Sequence, residues 1–268
     1  MTRNPAVAGY FYPGSELELK KMLVKLLNPE REKAEALAVV VPHAGYMYSG
    51  QVAGAVYSSV KLPDRVILLG PDHRAATTRF ALVSEGTWST PLGEVRIDSV
   101  LAQSILKRSE WGNSDPLAHE QEHSLEVQLP FLQYLNPNVS IVPISNTYFA
   151  DFAQLKNLGE AIAHSVRECE EPILIVASTD MSHQVSQETA REKDFLALER
   201  ILELDPQGLY DVVKAEHISM CGFQATTAAL IAASALGAES AELIQYMTSG
   251  DVTGDFTSVV GYAGIRIS

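Results

Sequence analysis

Three short runs rich in Val, Ile and Leu constrain the fold of this chain most strongly, because Pro or Gly bounds them and a histidine follows each. The runs with their histidines are Leu37–His43, Arg65–His73 and Pro172–His183. Continuous apolar runs of this length predict strands buried on both faces, as in a parallel sheet. In open α/β sheets, ligands bind beyond the carboxyl ends of the strands. The pattern therefore predicts that these three histidines lie near a functional site.

Strand-like and helical patterns alternate along most of the chain. This alternation predicts the α/β class, with a central parallel or mixed sheet flanked by helices. Ser15 and Glu18 have capping-box spacing and predict a helix to about Leu27, and residues 119–134 also have helical periodicity. No Pro-, Gly- or Ser-rich linker separates two halves, so we predict one domain over residues 1–268.

Charge and composition exclude some classes of partner. The formal net charge is -13, and Lys and Arg do not cluster, which argues against nucleic acid or an anionic membrane surface as a partner. The first residues lack the apolar segment of a signal peptide, and the apolar stretch Thr227–Leu236 is too short to span a bilayer. The two cysteines do not form a disulfide framework, so we expect a cytoplasmic protein.

His43 and His73 occupy equivalent positions after two predicted strands. His43 precedes Ala44 and Gly45, small residues that allow a ligand or an ion to approach closely. Imidazole is the commonest metal-ligating side chain, so the pair is a candidate for metal binding. The alternative is that each imidazole only hydrogen-bonds a loop carbonyl.

Asp180 and His183 follow the third strand and are three residues apart. An aspartate can orient an imidazole and stabilise its protonated form, so this pair suits acid–base chemistry or support of a metal ligand. An Asx-turn at Asp180 with a solvated His183 explains the same residues and remains an alternative.

Cys221 lies just before the Ala-rich helix. A thiol near a helix N-terminus has a lowered pKa, which makes Cys221 a candidate thiolate ligand or nucleophile. The alternative is that Cys221 is a small buried hydrophobe, the most common environment of a free cysteine.

His119–His123 reads His-Glu-Gln-Glu-His and matches the H-E-x-x-H pattern of zinc proteases. On a helix its two imidazoles would share one face, with Glu120 as the general base. Pro116 and Pro130 weaken this hypothesis because both interrupt helical structure near the motif. His123 is also a candidate pocket residue on its own.

Several short segments form an ordered set that extends over essentially the whole chain. They are Pro5–Gly14, Pro42–Tyr46, Gly70–His73, Glu122–Glu126, Asp180–His183, Cys221–Gly222 and Ser258–Ala263. Each segment is short, but their ordered combination is specific, and it resembles the Memo family.

The resemblance implies a fold similar to class III extradiol dioxygenases, which hold non-haem iron with two His and one Glu. His43 and His73 match the two metal ligands, and Cys221 matches the position of the glutamate. Asp180 and His183 would line the same pocket. In prokaryotes the resemblance also implies AMMECR1-like and radical-SAM proteins as partners.

A thiolate in place of the carboxylate makes the expected site softer, so iron, copper and zinc all remain candidate metals. The first hypothesis is a dioxygenase-like oxidoreductase with one iron or copper ion on His43, His73 and Cys221. His183, oriented by Asp180, would move protons, with His123 nearby. The second is a non-catalytic binding or signalling scaffold whose pocket captures a small molecule or a peptide. The third is the zinc protease.

Overall fold

The computed structural model of the protein describes residues 2–74 and 80–268. Within these ranges the strands are β1 (Thr2–Arg3), β2 (Ala38–Val41), β3 (Arg65–Pro71), β4 (Phe80–Leu82), β5 (Thr87–Thr90), β6 (Gly93–Ile97), β7 (Gly112–Ser114), β8 (Ser140–Asn146), β9 (Ile173–Ser178), β10 (His183–Val185), β11 (Ala241–Thr248) and β12 (Val259–Ile267).

The α-helices of the same ranges are α1 (Glu16–Leu26), α2 (Tyr46–Ser59), α3 (Ser99–Arg108), α4 (Leu129–Leu135), α5 (Phe152–Arg167), α6 (Gln187–Leu202), α7 (Pro206–Ala215), α8 (Phe223–Leu236) and α9 (Gly250–Thr253). The Ser15 hydroxyl accepts a hydrogen bond from the Glu18 N–H, which confirms the predicted start of α1. None of these helices is both long enough and apolar enough to cross a membrane.

The strands form one mixed sheet. The strands β6, β8, β3, β9 and β2 are neighbours in that order and run parallel. Strand β12 pairs antiparallel with β2, and β11 pairs antiparallel with β12. The predicted α/β class with a mixed central sheet is therefore confirmed.

The central strands are buried on both faces, as their uninterrupted apolar sequences predict. Val40 and Ile67 pack into one hydrophobic cluster, whereas Val39 and Leu68 pack into another. The first cluster includes side chains of α3, α5, α6, α7 and α8, and the second includes side chains of α1, α2 and α4. Helices therefore cover both faces of the sheet, which leaves its strand ends for function.

The helix predicted over residues 119–134 is wrong in its first half. A short 3-10 helix spans Pro116–His119, a second spans Glu126–Gln128, and α4 begins only at Leu129. The Glu122 carboxylate accepts hydrogen bonds from the backbone N–H groups of His123 and Ser124. The side chain thus provides the acceptors that a helix would take from backbone carbonyls.

Candidate metal centre

The site lies where three neighbouring parallel strands end. Strand β9 lies between β3 and β2, so the segments that follow these strands meet at one edge of the sheet. His43 is two residues beyond β2, and His73 is two residues beyond β3. Their ring centres are 5.1 Å apart. The structure therefore brings these two sequence-predicted ligands together.

His123 completes a cluster of three imidazoles. One ring nitrogen from each of His43, His73 and His123 lies within 4.8 Å of the other two, a group that could hold a metal ion. His123 stacks on His73 with ring centres 4.7 Å apart. Burial lowers the pKa of His123 to about 4, so its imidazole is neutral at neutral pH. We predicted His123 as a nearby acid–base residue, whereas the geometry places it among the possible ligands.

Hydrogen bonds determine which nitrogen of His43 carries the proton. The Ser178 hydroxyl donates its hydrogen to the carbonyl of Ser124, over 2.7 Å, so it can only accept from Nδ1 of His43, 3.0 Å away. His43 is buried, and burial together with neighbouring His73 and His123 holds its pKa well below the usual range. Nε2 of His43 therefore keeps a free lone pair, as a metal ligand requires.

Glu122 orients His73 in the same way. Its Oε1 lies 2.9 Å from Nδ1 of His73 and accepts that proton, while Oε2 accepts the His73 backbone N–H over 2.7 Å. Nδ1 of His123 lies 3.4 Å from the same Oε1. Burial opposes ionisation of Glu122, but the hydrogen bond from His73 and the neighbouring imidazoles hold its pKa well below the usual range. A carboxylate that orients a ligating imidazole is a common support of metal sites.

Cys221 lies against His43 rather than within the three-imidazole group. Its Sγ is 3.2 Å from Nε2 of His43, and it accepts the backbone N–H of Asp180 over 3.2 Å. The lowered pKa expected near the start of α8 is wrong, because burial, followed by the charge of Asp180, raises the pKa of the thiol. Ligation by Cys221 stays a prediction.

Asp180 and His183 both line the site, but each contacts another partner. Oδ1 of Asp180 accepts the backbone N–H groups of His43, over 2.8 Å, and Ala44, over 3.3 Å. Nδ1 of His183 lies 2.9 Å from the carbonyl of Ser219. Since a carbonyl only accepts, His183 carries its proton on Nδ1. The expected orientation of His183 by Asp180 is therefore corrected: the Ser219 carbonyl orients the ring.

The H-E-x-x-H hypothesis fails on the geometry of its first histidine. His119 ends a 3-10 helix, is fully buried and donates from Nε2 to the carbonyl of Ala81 over 2.9 Å. Its ring packs against Trp88, and Glu120 is exposed. His119 and His123 do not share a helical face, so the arrangement of a zinc protease is not formed. The pentapeptide contributes His123 and Glu122 to the site instead.

The imidazoles open onto a cleft of about 650 Å³, a volume typical of small-molecule sites. Its polar lining includes the three clustered histidines, Asp180 and His183, and its apolar lining includes Phe11, Tyr48, Val260 and Tyr262. The sequence pattern does not predict roles for Glu122, Ser178 or Ser219. Only Glu122 carried a signal, because a carboxylate next to a candidate histidine suits its support.

Comparisons with known proteins agree on one family. The family model described as Memo-like protein matches residues 3–266. A MEMO1 family protein of Aquifex aeolicus is 42% identical over 265 residues, covering 98% of each chain. One of Methanopyrus kandleri is 39% identical over 279 residues, covering 99% of this chain and 98% of the relative. An uncharacterized protein of Escherichia coli K12 has a similar fold, with a TM-score of 0.57 and 13% identity over 85% of this chain and 98% of its own.

Proposed function

Since this chain belongs to the Memo family, we propose that it is an oxidoreductase dependent on one redox metal ion, iron or copper. The observation that carries the proposal is the meeting of three imidazole nitrogens within 4.8 Å at the carboxyl edge of the sheet. Imidazole nitrogens suit iron, copper and zinc alike. His43 and His73 each have Nδ1 hydrogen-bonded to a buried acceptor, so each offers an unprotonated Nε2 to a metal.

The third ligand is His123 or Cys221. His123 belongs to the three-nitrogen group, whereas the Cys221 sulfur is 3.2 Å from the His43 nitrogen that would bind the metal. Three imidazoles make a harder site than two imidazoles with a thiolate. The third ligand therefore decides how strongly the site prefers copper over iron.

The other residues of the cleft suit the handling of a small organic substrate. When bound, an iron or copper ion supplies the redox chemistry. His183 presents a free Nε2 at the cleft, so it accepts or donates a proton there, while Ser219 holds its Nδ1–H. Phe11, Tyr48 and Tyr262 provide apolar walls for the carbon skeleton of a substrate.

Metal binding can be tested on protein purified without oxygen. We expect near-stoichiometric uptake of Fe(II) or Cu(I) by the wild type and a loss of at least about 100-fold in affinity for His43→Ala, because a ligand is removed. X-ray absorption distinguishes a sulfur ligand from three nitrogens when Cys221→Ser and His123→Ala are compared. Cys169→Ser is the matched control. Cys169 is also a free cysteine, but it follows the end of α5 and does not line the cleft.

Activity is tested by oxygen uptake with a panel of phenols, amines and thiols. We expect metal-dependent uptake that His183→Gln reduces by about 100-fold. A wild type that takes up neither iron nor copper contradicts the proposed metal site. A metal-loaded wild type that consumes no oxygen with any reductant contradicts the oxidoreductase and favours the binding scaffold, with AMMECR1-like and radical-SAM proteins as the first partners to test.

A further inference from the structure

The first residues of the chain form an arm that contacts the segment carrying His123. We call residues 2–14 the N-terminal arm and residues 119–126 the ligand loop. The buried carboxylate of Glu126, at the end of this loop, accepts four hydrogen bonds from the arm. The donors are Nη1 of Arg3 at 2.8 Å, the N–H of Ala6 at 2.7 Å, the N–H of Val7 at 3.0 Å and the hydroxyl of Tyr12 at 2.7 Å.

Arg3 holds the ligand loop at two further points. Its Nε donates to the carbonyl of His119 over 2.7 Å, and its Nη2 donates to the carbonyl of Glu122 over 2.6 Å. The guanidinium lies 4.3 Å from the ring centre of Trp88, and only 8% of the side chain is exposed. One buried guanidinium thus fixes three positions of a loop that has no strand partner.

The arm also reaches the imidazoles and α2. The Phe11 ring packs against the His123 ring with centres 4.7 Å apart. The carbonyl of Phe11 accepts the N–H of Tyr46, at the start of α2, over 2.8 Å. Because His43 lies three residues before Tyr46, the arm connects the segments that carry His43 and His123.

The geometry points to Arg3 and Glu126 as positioning residues of the metal centre. Neither side chain lines the cleft, yet together they hold the backbone from which Glu122 and His123 project. The ligand loop contains no strand and no α-helix, so its shape depends on these contacts. Arg3 and Glu126 therefore set the spacing of the imidazoles, and through it the affinity and the coordination geometry. The metal part of this inference rests on the proposed function.

The test uses Co²⁺ as a spectroscopic probe of the metal-free protein. We expect Arg3→Met and Glu126→Gln to lower Co²⁺ affinity by about 10- to 100-fold and to shift the visible d–d bands, as for other groups that support metal ligands. Arg3→Lys keeps the charge but not the fork of donors, so it should recover only part of the affinity. The double variant should lose less than the product of the single losses, because both residues act in one network.

Arg65→Gln is the matched control. It breaks the 2.6 Å ion pair between Arg65 and Asp98 at the opposite edge of the sheet. The Arg65 side chain is 17% exposed and the Asp98 side chain 11%. Its Co²⁺ affinity and band positions should match those of the wild type. Unchanged affinity and bands in both Arg3→Met and Glu126→Gln, measured where circular dichroism shows full folding, overturn the inference.

Hydrogen exchange separates this inference from the proposed function. In metal-free protein, Arg3→Met should accelerate exchange of the His123 and Ser124 amides by about 10-fold relative to the core strands, since the loop loses its anchor. If wild type binds neither Co²⁺ nor iron or copper, the proposed function fails while exchange still decides the role of the arm. Equal exchange in variant and wild type overturns that role. If these variants do not fold, Tyr12→Phe removes one of the four hydrogen bonds to Glu126. Wild-type Co²⁺ affinity and wild-type exchange of the His123 amide in that variant overturn the inference.

Discussion

The amino and carboxyl edges of the central sheet differ in whether their polar side chains are paired with each other or have atoms available to bind a ligand. At the amino edge, Arg65 donates to Asp98 over 2.6 Å and to Glu171 over 3.3 Å, beside an open depression of about 770 Å³. At the carboxyl edge the cleft is smaller, about 650 Å³. There Nδ1 of His43 and Nδ1 of His73 are each hydrogen-bonded to a buried acceptor, which leaves both Nε2 atoms unprotonated, and the Cys221 sulfur lies 3.2 Å from Nε2 of His43.

This difference shows that volume alone does not mark a site in this fold. Charged groups at the amino edge neutralise one another near solvent, where such pairs contribute little. Groups at the carboxyl edge are held by buried partners, so their free atoms converge in fixed positions. Preorganised, unprotonated ligand atoms are the feature that metal binding requires.

Removing the main support of the carboxyl edge should have the largest effect. Glu122→Ala deprives four donors of their acceptor: Nδ1 and the backbone N–H of His73, and the N–H groups of His123 and Ser124. An unsatisfied buried donor costs about 1–3 kcal/mol, so we expect a loss of roughly 4 kcal/mol in the free energy of unfolding. Metal affinity should fall by at least about 100-fold. Urea unfolding and metal titration measure the two effects.

Glu122→Gln separates the two effects. The glutamine amide keeps one acceptor oxygen, so most of the stability lost in Glu122→Ala should return. Its NH₂ group, however, cannot accept the Nδ1–H of His73, because both groups are donors. We expect metal affinity about 10-fold below that of the wild type. Wild-type affinity in both variants would show that the carboxyl edge does not depend on this carboxylate.

The next largest effect should be an acid sensitivity that comes from His119. Burial lowers its pKa from 6.5 to about 4, so the unfolded chain takes up a proton more readily than the folded one. The stability from neutral His119 is present above pH 6.5 and is lost as the pH falls towards 4, by roughly 3 kcal/mol in total. His119→Gln keeps a donor for the Ala81 carbonyl and removes this pH dependence.

Urea unfolding from pH 7 to pH 4 measures this prediction, with the exposed His164→Gln as the control. We expect the stability of His119→Gln to fall less steeply with acidification than that of the wild type, and that of His164→Gln to fall equally. Parallel curves for His119→Gln and wild type would mean that His119 does not contribute to acid sensitivity.

Much of the fold could be predicted because the strands carry their own pattern. The uninterrupted apolar runs before His43 and His73 correspond to β2 and β3, and the capping-box spacing of Ser15 and Glu18 corresponds to the start of α1. The ligand loop could not be predicted from periodicity. Several of its backbone groups hydrogen-bond to the Glu122 side chain and to Arg3, which is more than a hundred residues away in sequence.

The sequence predicted which residue types form the site, but not which groups hydrogen-bond to its histidines. Residue type and position after a strand were sufficient to propose His43 and His73. The acceptors that orient His43, His73 and His183 are Ser178, Glu122 and the Ser219 carbonyl, which depend on how distant segments pack. The same packing raises the pKa of Cys221, since burial outweighs its position near the start of α8.

A smaller effect should follow from adding one methyl group behind the site. In Gly222→Ala the new Cβ would clash with the Ser178 carbonyl oxygen and lie 2.6 Å from Cβ of Thr179. The backbone must shift, which typically costs about 1–3 kcal/mol. Gly45→Ala is the control at the same edge, because its Cβ would meet the Phe11 carbonyl at an ordinary 3.6 Å. Thermal unfolding should separate the two, and equal stability would contradict the close approach.

The smallest effect should come from Arg65→Gln at the amino edge. Its partly exposed ion pair with Asp98 contributes about 1 kcal/mol at most, and the Asp98 carboxylate keeps its hydrogen bond to the Leu101 N–H at the start of α3. Arg65 begins β3 and His73 follows its end, so this single strand joins the two edges. We expect unchanged metal affinity, because a strand paired on both sides transmits little strain. A loss of more than about 3-fold in a metal titration would show that the two edges are coupled through β3.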